Sequence, residues 1–296
     1  MLRVILLIVI NFLSISCLTG QVKKFYSLGN DLNSDKINIV LTAVSNSCCI
    51  KPTVNPNLVN VFGYDNNAKP VIYANTETMN HIQNLIINLD NNEADKETSL
   101  TKRFFNTSSE SANHWDLYLS NEKPMKLTLN YAVGDATVDL SDLPIEMLKI
   151  SSGSAEVKVE YMDDRPNVVE MDSFLVKVDL GSLTINRMNY ANARTVIADV
   201  GFGALLVDYS RALESPSDVH ASVGAGNLII GLPNDENIPV IINIQNSPLC
   251  HVKIPKGYRK QEKNVYVSQG FKEEAPNTLS FNLDVVIGQI KFVDYK

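Results

Sequence analysis

The sequence predicts an all-β protein: a single-stack β-solenoid with coils of roughly 20 residues and glycine at the corners. Two observations predict this fold class. Six segments share a pattern of alternating apolar residues, a glycine, and alternating apolar residues again, and they recur at about the length of one solenoid coil. The chain also offers no convincing amphipathic helix, since the best candidate, Thr76–Leu89, is short and rich in asparagine.

The repeated units centre on six glycines, which we predict to be the structural corners: Gly134, Gly153, Gly181, Gly203, Gly226 and Gly288. Apolar residues lie three and five positions before most of these glycines, and two and four positions after them. Each flank therefore alternates like a strand that buries one face. The step from position −3 to position +2 is an odd number of residues, so a straight strand would turn its second apolar set outward. A bend at the glycine restores burial, and glycine tolerates the backbone angles that a bend needs.

The glycines recur at intervals of 19, 28, 22, 23 and 62 residues. The last interval has room for about three coils, and one degenerate unit stands within it around Pro248. Polar or proline-containing loops, at 163–166, 214–217 and 234–239, are predicted to return the chain between strands.

The N-terminal third is less regular than the repeats. Residues 36–44 and 58–62 alternate like strands, 88–111 are polar and charged like a surface loop, and 115–119 open a strand that leads into 126–133. No break in composition separates this part from the repeats. We therefore predict a signal peptide at 1–20, an N-terminal β region at 21–114, and a solenoid at 115–296 that continues it.

The predicted signal peptide begins with Arg3, followed by an apolar run that is too short to span a bilayer. Small residues precede Cys17, which allows cleavage before Cys17 or after Gly20. The stretch Ser14–Cys17 also resembles a bacterial lipobox loosely, so Cys17 is a candidate lipid anchor. Both alternatives place the protein outside the cytoplasm: in the bacterial periplasm, on the outer surface or secreted.

The formal net charge is −7 and the pI about 5.2. Such a chain has no basic stripe to neutralise phosphates, so nucleic acid is not an expected partner. We expect the protein to associate with a membrane only through a lipid anchor at Cys17. Cys48 and Cys49 are adjacent, which leaves no spacing typical of a metal site. Together with Cys250 they are predicted to be small buried side chains, with a bridge from Cys250 to one of them as the alternative.

Motifs for catalysis or for a cofactor are weak, so no catalytic, cofactor-binding or metal-binding residue is predicted. Residues 201–206 and 224–229 resemble pieces of a dinucleotide fingerprint but lack its third glycine and its helix. The acidic pairs at 163–164 and 273–274 fit solvated loops better than a glycosidase pair. The histidines are scattered, at His81, His114, His220 and His251.

Tyrosine and asparagine are the remaining signal. Stretches such as 65–67 and 189–192 would suit a glycan-binding face, on which rings stack and amides form hydrogen bonds. The alternative is that these asparagines serve tight turns and side-chain ladders in stacked coils.

From Trp115 to Tyr295, roughly three fifths of the chain, the residues resemble the toast-rack family and its LiaF-like relatives among cell-wall-active antibiotic response proteins. The resemblance rests on the order of the segments WDLYL, NYAVGDATVDLSDL, RPNVVEM, NYANA, LLVDYS and SVGAGNLIIGLP. It implies a β-solenoid-like stack in the cell envelope, with no established enzymatic activity and no site residue to carry over. LiaF-like members sit in membrane proteins that restrain an envelope-stress sensor.

Taken together, these observations predict an exported, non-enzymatic cell-envelope protein with an adhesion-like or scaffolding surface. Its expected partner is an envelope protein or a glycan. One alternative is a partner in envelope-stress signalling. The other is a β-helix carbohydrate-active enzyme, which would need a groove with converging acidic and basic side chains.

Overall fold

The computed structural model describes residues 24–45, 47–63, 71–77, 81–89, 114–211, 213, 215–233, 235 and 237–294. The predicted signal peptide with Cys17, and residues 90–111 of the predicted surface loop, lie outside the described residues. Over the described part of the chain, the structure contains no helix of sufficient length and apolarity to cross a membrane.

The described residues form seventeen strands in one continuous sheet. In chain order they are β1 Lys24–Gly29, β2 Lys36–Ser45, β3 Ser47–Thr53, β4 Asn57–Gly63, β5 Val71–Glu77, β6 Ile82–Asn88, β7 His114–Ser120, β8 Met125–Asp139, β9 Ile145–Glu160, β10 Met171–Asn186, β11 Ala193–Asp208, β12 Ser217–Leu232, β13 Val240–Asn246, β14 Cys250–Lys253, β15 Arg259–Glu262, β16 Val265–Val267 and β17 Leu279–Asp294. A 3₁₀ turn, Met188–Ala191, precedes β11.

Six long strands form the centre of the molecule: β8, β9, β10, β11, β12 and β17 pair in parallel in that order. A straight strand of 15 residues would end about 50 Å from its start. Only residues 140–144 connect β8 to β9, and five residues cannot span that distance. Each long strand must therefore fold back on itself, so that two legs of one coil face each other, as in a flattened solenoid.

The core lies between the two legs of each coil. In β10, Phe174, Val176 and Val178 on the first leg are buried, as are Leu183 and Ile185 on the second leg. The same positions of the neighbouring strands are stacked on them, and together they form one continuous apolar column. The predicted alternation on both sides of the glycine is confirmed, and burial of this column is the main stabilising term of such a stack.

Five of the predicted corner glycines form a column at the bend. Gly134, Gly181, Gly203, Gly226 and Gly288 all have φ between 128° and 145°, a left-handed region that favours glycine. The last four pair directly with one another, and a Cβ on any of these four would overlap a carbonyl oxygen of the adjacent coil. Glycine is therefore required here both by the backbone angle and by the close approach.

Gly153 does not belong to this column, and the sequence alignment of that unit was wrong by two residues. The pairing of β9 with both of its neighbours places Ala155 in the column, opposite Gly134 and Gly181. Gly153 lies two positions earlier, in register with Gly201 and Gly224. Residues 201–203 and 224–226 each read Gly-x-Gly, and in both the second glycine makes the bend. β9 has only the first glycine of this pattern, Gly153, so the sequence pattern points to the wrong residue there.

The degenerate unit around Pro248 forms a layer of its own, but not where chain order would place it. β13 and β14 both pair in parallel with β17, and Cys250 stands opposite Gly288. β17 therefore lies between this layer and β12. Because β17 carries the full apolar pattern and the bend glycine, it continues the stack on β12 directly, and residues 233–278 form an excursion that closes the end.

The opposite end is closed by the N-terminal third. β2 and β3 pair with the two legs of β8, β6 and β7 pair with β2 and β3, and antiparallel strands β1, β4 and β5 finish the end. The strands predicted at 36–44 and 58–62 are present in β2 and β4. The weak helix candidate at 76–89 instead contains the end of β5 and all of β6.

The three described cysteines form no disulfide, and only Cys48 is fully buried, while Cys49 and Cys250 are partly exposed. Seven strand-to-strand steps separate β3 from β14, which is roughly 34 Å at about 4.8 Å a step. The Cα atoms of a disulfide lie within about 7 Å of each other. The alternative of a bridge between Cys250 and Cys48 or Cys49 is therefore wrong.

This geometry predicts a defined pattern of thiol labelling. Burial raises the pKa of the Cys49 and Cys250 thiols, so both are protonated near neutral pH and should react slowly. With iodoacetamide at pH 7.5, we expect slow labelling of Cys49 and Cys250 in the folded chain. Cys48 should be labelled only after denaturation, and no reductant should be needed for any of the three. Mass spectrometry of peptides reads out each site. Recovery of a peptide pair joined through Cys250 would contradict the assigned register.

Candidate functional site

An exposed row of apolar side chains follows the outside of the bend. Its members stand one residue before the bend glycine or its equivalent, and we call the row the bend ridge: Val133, Leu180, Phe202, Ile287 and Leu249. Strand pairing aligns Val133, Leu180, Phe202 and Ile287, with Ser154 and Ala225 as the spacers. Leu249 extends the row, because its carbonyl accepts a hydrogen bond from the Gly288 amide at 3.2 Å.

The ridge residues are between 39% and 68% exposed, although they continue the alternation of the buried positions before them. In β10, Val176 and Val178 point into the core, and Leu180, two residues later, is turned outward by the bend at Gly181. In the sequence, the ridge is an apolar residue one position before the bend. Because this position shares the phase of the core, the sequence pattern alone does not distinguish it from a buried one.

Small residues stand beside the row in four of its coils. Ala132 and Gly201 precede the ridge residues Val133 and Phe202, and Gly153 and Gly224 precede the spacers, whereas the other three ridge residues follow Asp179, Val286 and Pro248. A Cβ on Gly201 or on Gly224 would lie 2.5 Å from a carbonyl oxygen of the adjacent coil, so the backbones are tightly stacked here. The ridge spans six steps, about 29 Å, and an apolar row of this length is typical of an interaction surface.

A second feature lies at the N-terminal end of the stack, where three rings meet; we call it the aromatic hollow. Phe25 pairs with Phe62 across β1 and β4, and β4 pairs with the strand that carries Tyr118. The ring centroids of Phe25 and Phe62 are 4.8 Å apart, and those of Phe62 and Tyr118 are 5.5 Å apart in an edge-to-face arrangement. With Thr53, Asn55 and Asn60 these rings line a hollow of about 290 Å³.

Both acidic pairs from the sequence lie in exposed loops, and the first of them, at 163–164, forms ion pairs. Asp163 contacts Arg165 at 3.1 Å, and Asp164 contacts Arg187 at 3.0 Å. Glu273 and Glu274 line an open hollow at 269–277. Within the part of the chain that the structure describes, no group of three His, Cys, Asp or Glu side chains is arranged to hold a metal ion.

Aspartates at the strand ends have a structural role. Asp139 accepts hydrogen bonds from the amide and the hydroxyl of Ser141, and Asp208 accepts the same pair from Ser210. These Asp-x-Ser turns start the return of the chain to the next coil. Asn192, in the stretch considered for glycan binding, has φ 49° and ends the 3₁₀ turn, so the turn-forming alternative holds there. Residues 65–67 lie outside the described residues.

The histidines are dispersed over the structure. His114 and His220 each contact the aspartate two residues away on the same strand, Asp116 and Asp218, at 3.2 Å. His81 contacts the carbonyl of Asn33 at 3.0 Å. His251 is exposed on β14. The structure does not bring any two of these histidines into one site.

Comparison with known proteins gives a family and two distant folds. Residues 63–186 match the family described as the N-terminal domain of toast_rack, DUF2154. One similar crystal structure is of a protein from Clostridium sporogenes that is provisionally named a cell adhesion protein. Its sequence is 15% identical to this chain, the match covers 91% of this chain and 97% of that chain, and the TM-score is 0.48. A provisionally named adhesin from Bacteroides fragilis is 12% identical, with 92% and 96% covered and a TM-score of 0.30.

No curated protein matches the sequence. The toast-rack match ends at Asn186, the last residue of β10, and contains all of β8 and β9. It contains the first three segments that carry the resemblance, WDLYL, NYAVGDATVDLSDL and RPNVVEM, and the other three lie beyond it. Residues 63–186 are therefore assigned to the N-terminal domain of the toast-rack family.

Proposed function

We propose that this chain is an exported, non-enzymatic protein of the bacterial cell envelope and that the bend ridge is its adhesion-like binding surface. The observation that carries the proposal is the alignment of five half-exposed apolar side chains along one edge of the stack. Their backbones are fixed by parallel pairing in both directions, so little conformational entropy is lost when a partner binds. Phe202, at 63% exposure near the middle of the row, is the expected anchor.

The charges that border the ridge indicate the partner. The exposed acidic side chains Asp135, Glu156 and Asp284 flank it, whereas Asp179 and Lys177 neutralise each other in an ion pair at 3.1 Å. Two copies of this surface would bring like charges together, and an anionic lipid surface would be repelled. The complementary partner is an envelope protein with an apolar groove bordered by lysine or arginine.

Binding to isolated envelopes tests this proposal. The exported form, residues 21–296, is titrated onto envelope fragments from a strain that lacks the gene, and the bound fraction is measured by sedimentation. We expect saturable binding that becomes weaker as the salt concentration rises. Protease treatment of the fragments should abolish it, and the double variant Leu180→Ser/Phe202→Ser should weaken it by about tenfold or more. Ile197→Ser is the control, since Ile197 is 44% exposed but lies outside the ridge.

Several outcomes would overturn the proposal. Equal binding by the ridge variant would remove the ridge from the function. Concentration-dependent dimerisation that the same variant abolishes would assign the ridge to a second copy. Release of soluble sugar from the fragments would contradict the non-enzymatic role, and recovery of the uncleaved chain in the cytoplasm would contradict export.

A further inference from the structure

We infer that the aromatic hollow is a carbohydrate-binding site for one neutral pyranose ring of a glycan. The hollow is separate from the bend ridge, because it is built by β1, β4, β7 and the end of β3 at the N-terminal end of the stack. The inference therefore does not depend on the ridge. At about 290 Å³, its volume lies near the lower limit for ligand pockets, about 300 Å³, which suits a single sugar ring.

The rings supply the apolar half of the recognition. One face of a pyranose presents C–H groups, and an aromatic face with its negative quadrupole attracts them. The Phe25 ring is 54% exposed, and its contact with Phe62 at 4.8 Å keeps it on the sheet. Phe62 is itself supported edge-to-face by Tyr118. The platform is thus made by three strands of a sheet, which hold it in place before a ligand arrives.

The polar half of the recognition comes from side chains whose orientation is fixed by hydrogen bonds within the protein. Asn60 is 3% exposed, and its Oδ1 accepts hydrogen bonds from the Ser27 hydroxyl at 2.9 Å and from the Asn57 amide at 3.4 Å. The Asn55 Oδ1 accepts from the Asn57 backbone amide at 3.0 Å. Thr53 Oγ1 accepts from the Asn55 backbone amide at 3.3 Å. Toward a ligand the lining offers the Asn55 and Asn60 amide donors and the Thr53 and Tyr118 hydroxyls, and Asn55 Oδ1 has a second lone pair that can accept.

Donors beside an aromatic platform fit the hydroxyl and ring oxygens of a sugar. The described residues that line the hollow include no charged side chain. A sialic acid or uronic acid would find no cation among these lining residues, although Lys51 lies beside Tyr118 outside them, and burial of an unpaired carboxylate is costly. The lining therefore favours a neutral hexose or an N-acetylhexosamine.

Titration with defined oligosaccharides tests the inference. Residues 21–296 are titrated with chitotetraose, cellotetraose and maltotetraose by calorimetry and by ligand-observed NMR, up to 10 mM sugar. We expect at least one of them to bind, and we expect Phe25→Ala and Asn55→Ala each to weaken it about tenfold. Val54→Ala is the matched control, because Val54 is 90% exposed between two lining residues but does not itself line the hollow. Thermal melts confirm that each variant is folded.

The outcomes separate this site from the ridge. If Leu180→Ser/Phe202→Ser keeps full sugar binding while Phe25→Ala and Asn55→Ala lose it, the hollow is the sugar site. No binding of any of the three neutral probes would overturn the inference, as would binding that both hollow variants leave unchanged. Neither of these results would affect envelope binding through the ridge, which is measured separately.

Discussion

Replacement of Gly203 by alanine is expected to destabilise the protein by roughly 2–6 kcal/mol. Two costs add at this position. Gly203 has φ 141°, and a non-glycine residue held in such a region costs about 1–3 kcal/mol. The new Cβ would also overlap the carbonyl oxygen of Gly181 in the adjacent coil, and relief of that overlap by backbone movement costs about 1–3 kcal/mol more.

Urea unfolding followed by circular dichroism measures this effect. Gly29→Ala is the matched control, because a Cβ there would meet nothing within 4 Å and its φ lies outside the left-handed region; we expect a change within about 0.5 kcal/mol. A second control is Ala155→Gly, which places glycine in the one position of the column where the chain has alanine. A Gly203→Ala midpoint equal to that of the unmodified chain would contradict the account of the bend.

The bend was predictable from the number of residues between the two apolar sets of each unit. Because that number is odd, a straight strand would point one set away from the core, so the strand must bend. The residue at which each unit bends is harder to predict, because a Gly-x-Gly unit offers two candidate glycines. Gly153 shows the consequence: only strand register distinguishes it from Ala155, and the corrected intervals of 21 and 26 residues are more even than 19 and 28.

The ends of the stack and both surfaces were not predictable from local patterns. β17 lies beside β12 although 46 residues separate the two strands, and periodicity contains no information on that choice. The bend ridge was not predictable as a surface because its residues continue the same alternation as the buried core residues. The aromatic hollow joins Phe25, Phe62 and Tyr118 through antiparallel pairing, and no spacing in the sequence brings these residues together.

Above pH 10, the protein is expected to lose stability steeply. Burial raises the pKa of three tyrosine phenols, Tyr131, Tyr161 and Tyr209, which are at most 5% exposed. In the unfolded chain a phenol ionises near pH 10, whereas in the folded chain it stays neutral well above that value. Above pH 10 the unfolded state therefore binds fewer protons than the folded state, and stability falls with rising pH.

The stabilising contribution of neutral phenols is complete below pH 10 and is lost as the pH rises toward their folded pKa values. Each of the three contributes a slope of up to about 1.4 kcal/mol per pH unit, or about 4 kcal/mol together. A domain with a total stability of about 5–15 kcal/mol should then unfold within a few pH units. Urea unfolding at pH 8, 10, 10.5 and 11 gives the slope, and absorbance at 295 nm should show the phenols ionising together with unfolding.

Tyr161→Phe separates this mechanism from a general effect of alkali. Among the described residues, the Tyr161 hydroxyl has no hydrogen-bond partner, so its removal should leave stability at pH 7 unchanged or slightly higher. The same change removes one of three buried phenols and should reduce the slope above pH 10 by about one third. Tyr209→Phe also removes a phenol, but it gives up a contact of 3.4 Å with the Ser217 hydroxyl and should cost stability at pH 7. If Tyr161→Phe and the unmodified chain lose stability equally between pH 10 and 11, the buried phenols are not the cause, and deprotonation of surface lysines becomes the better explanation.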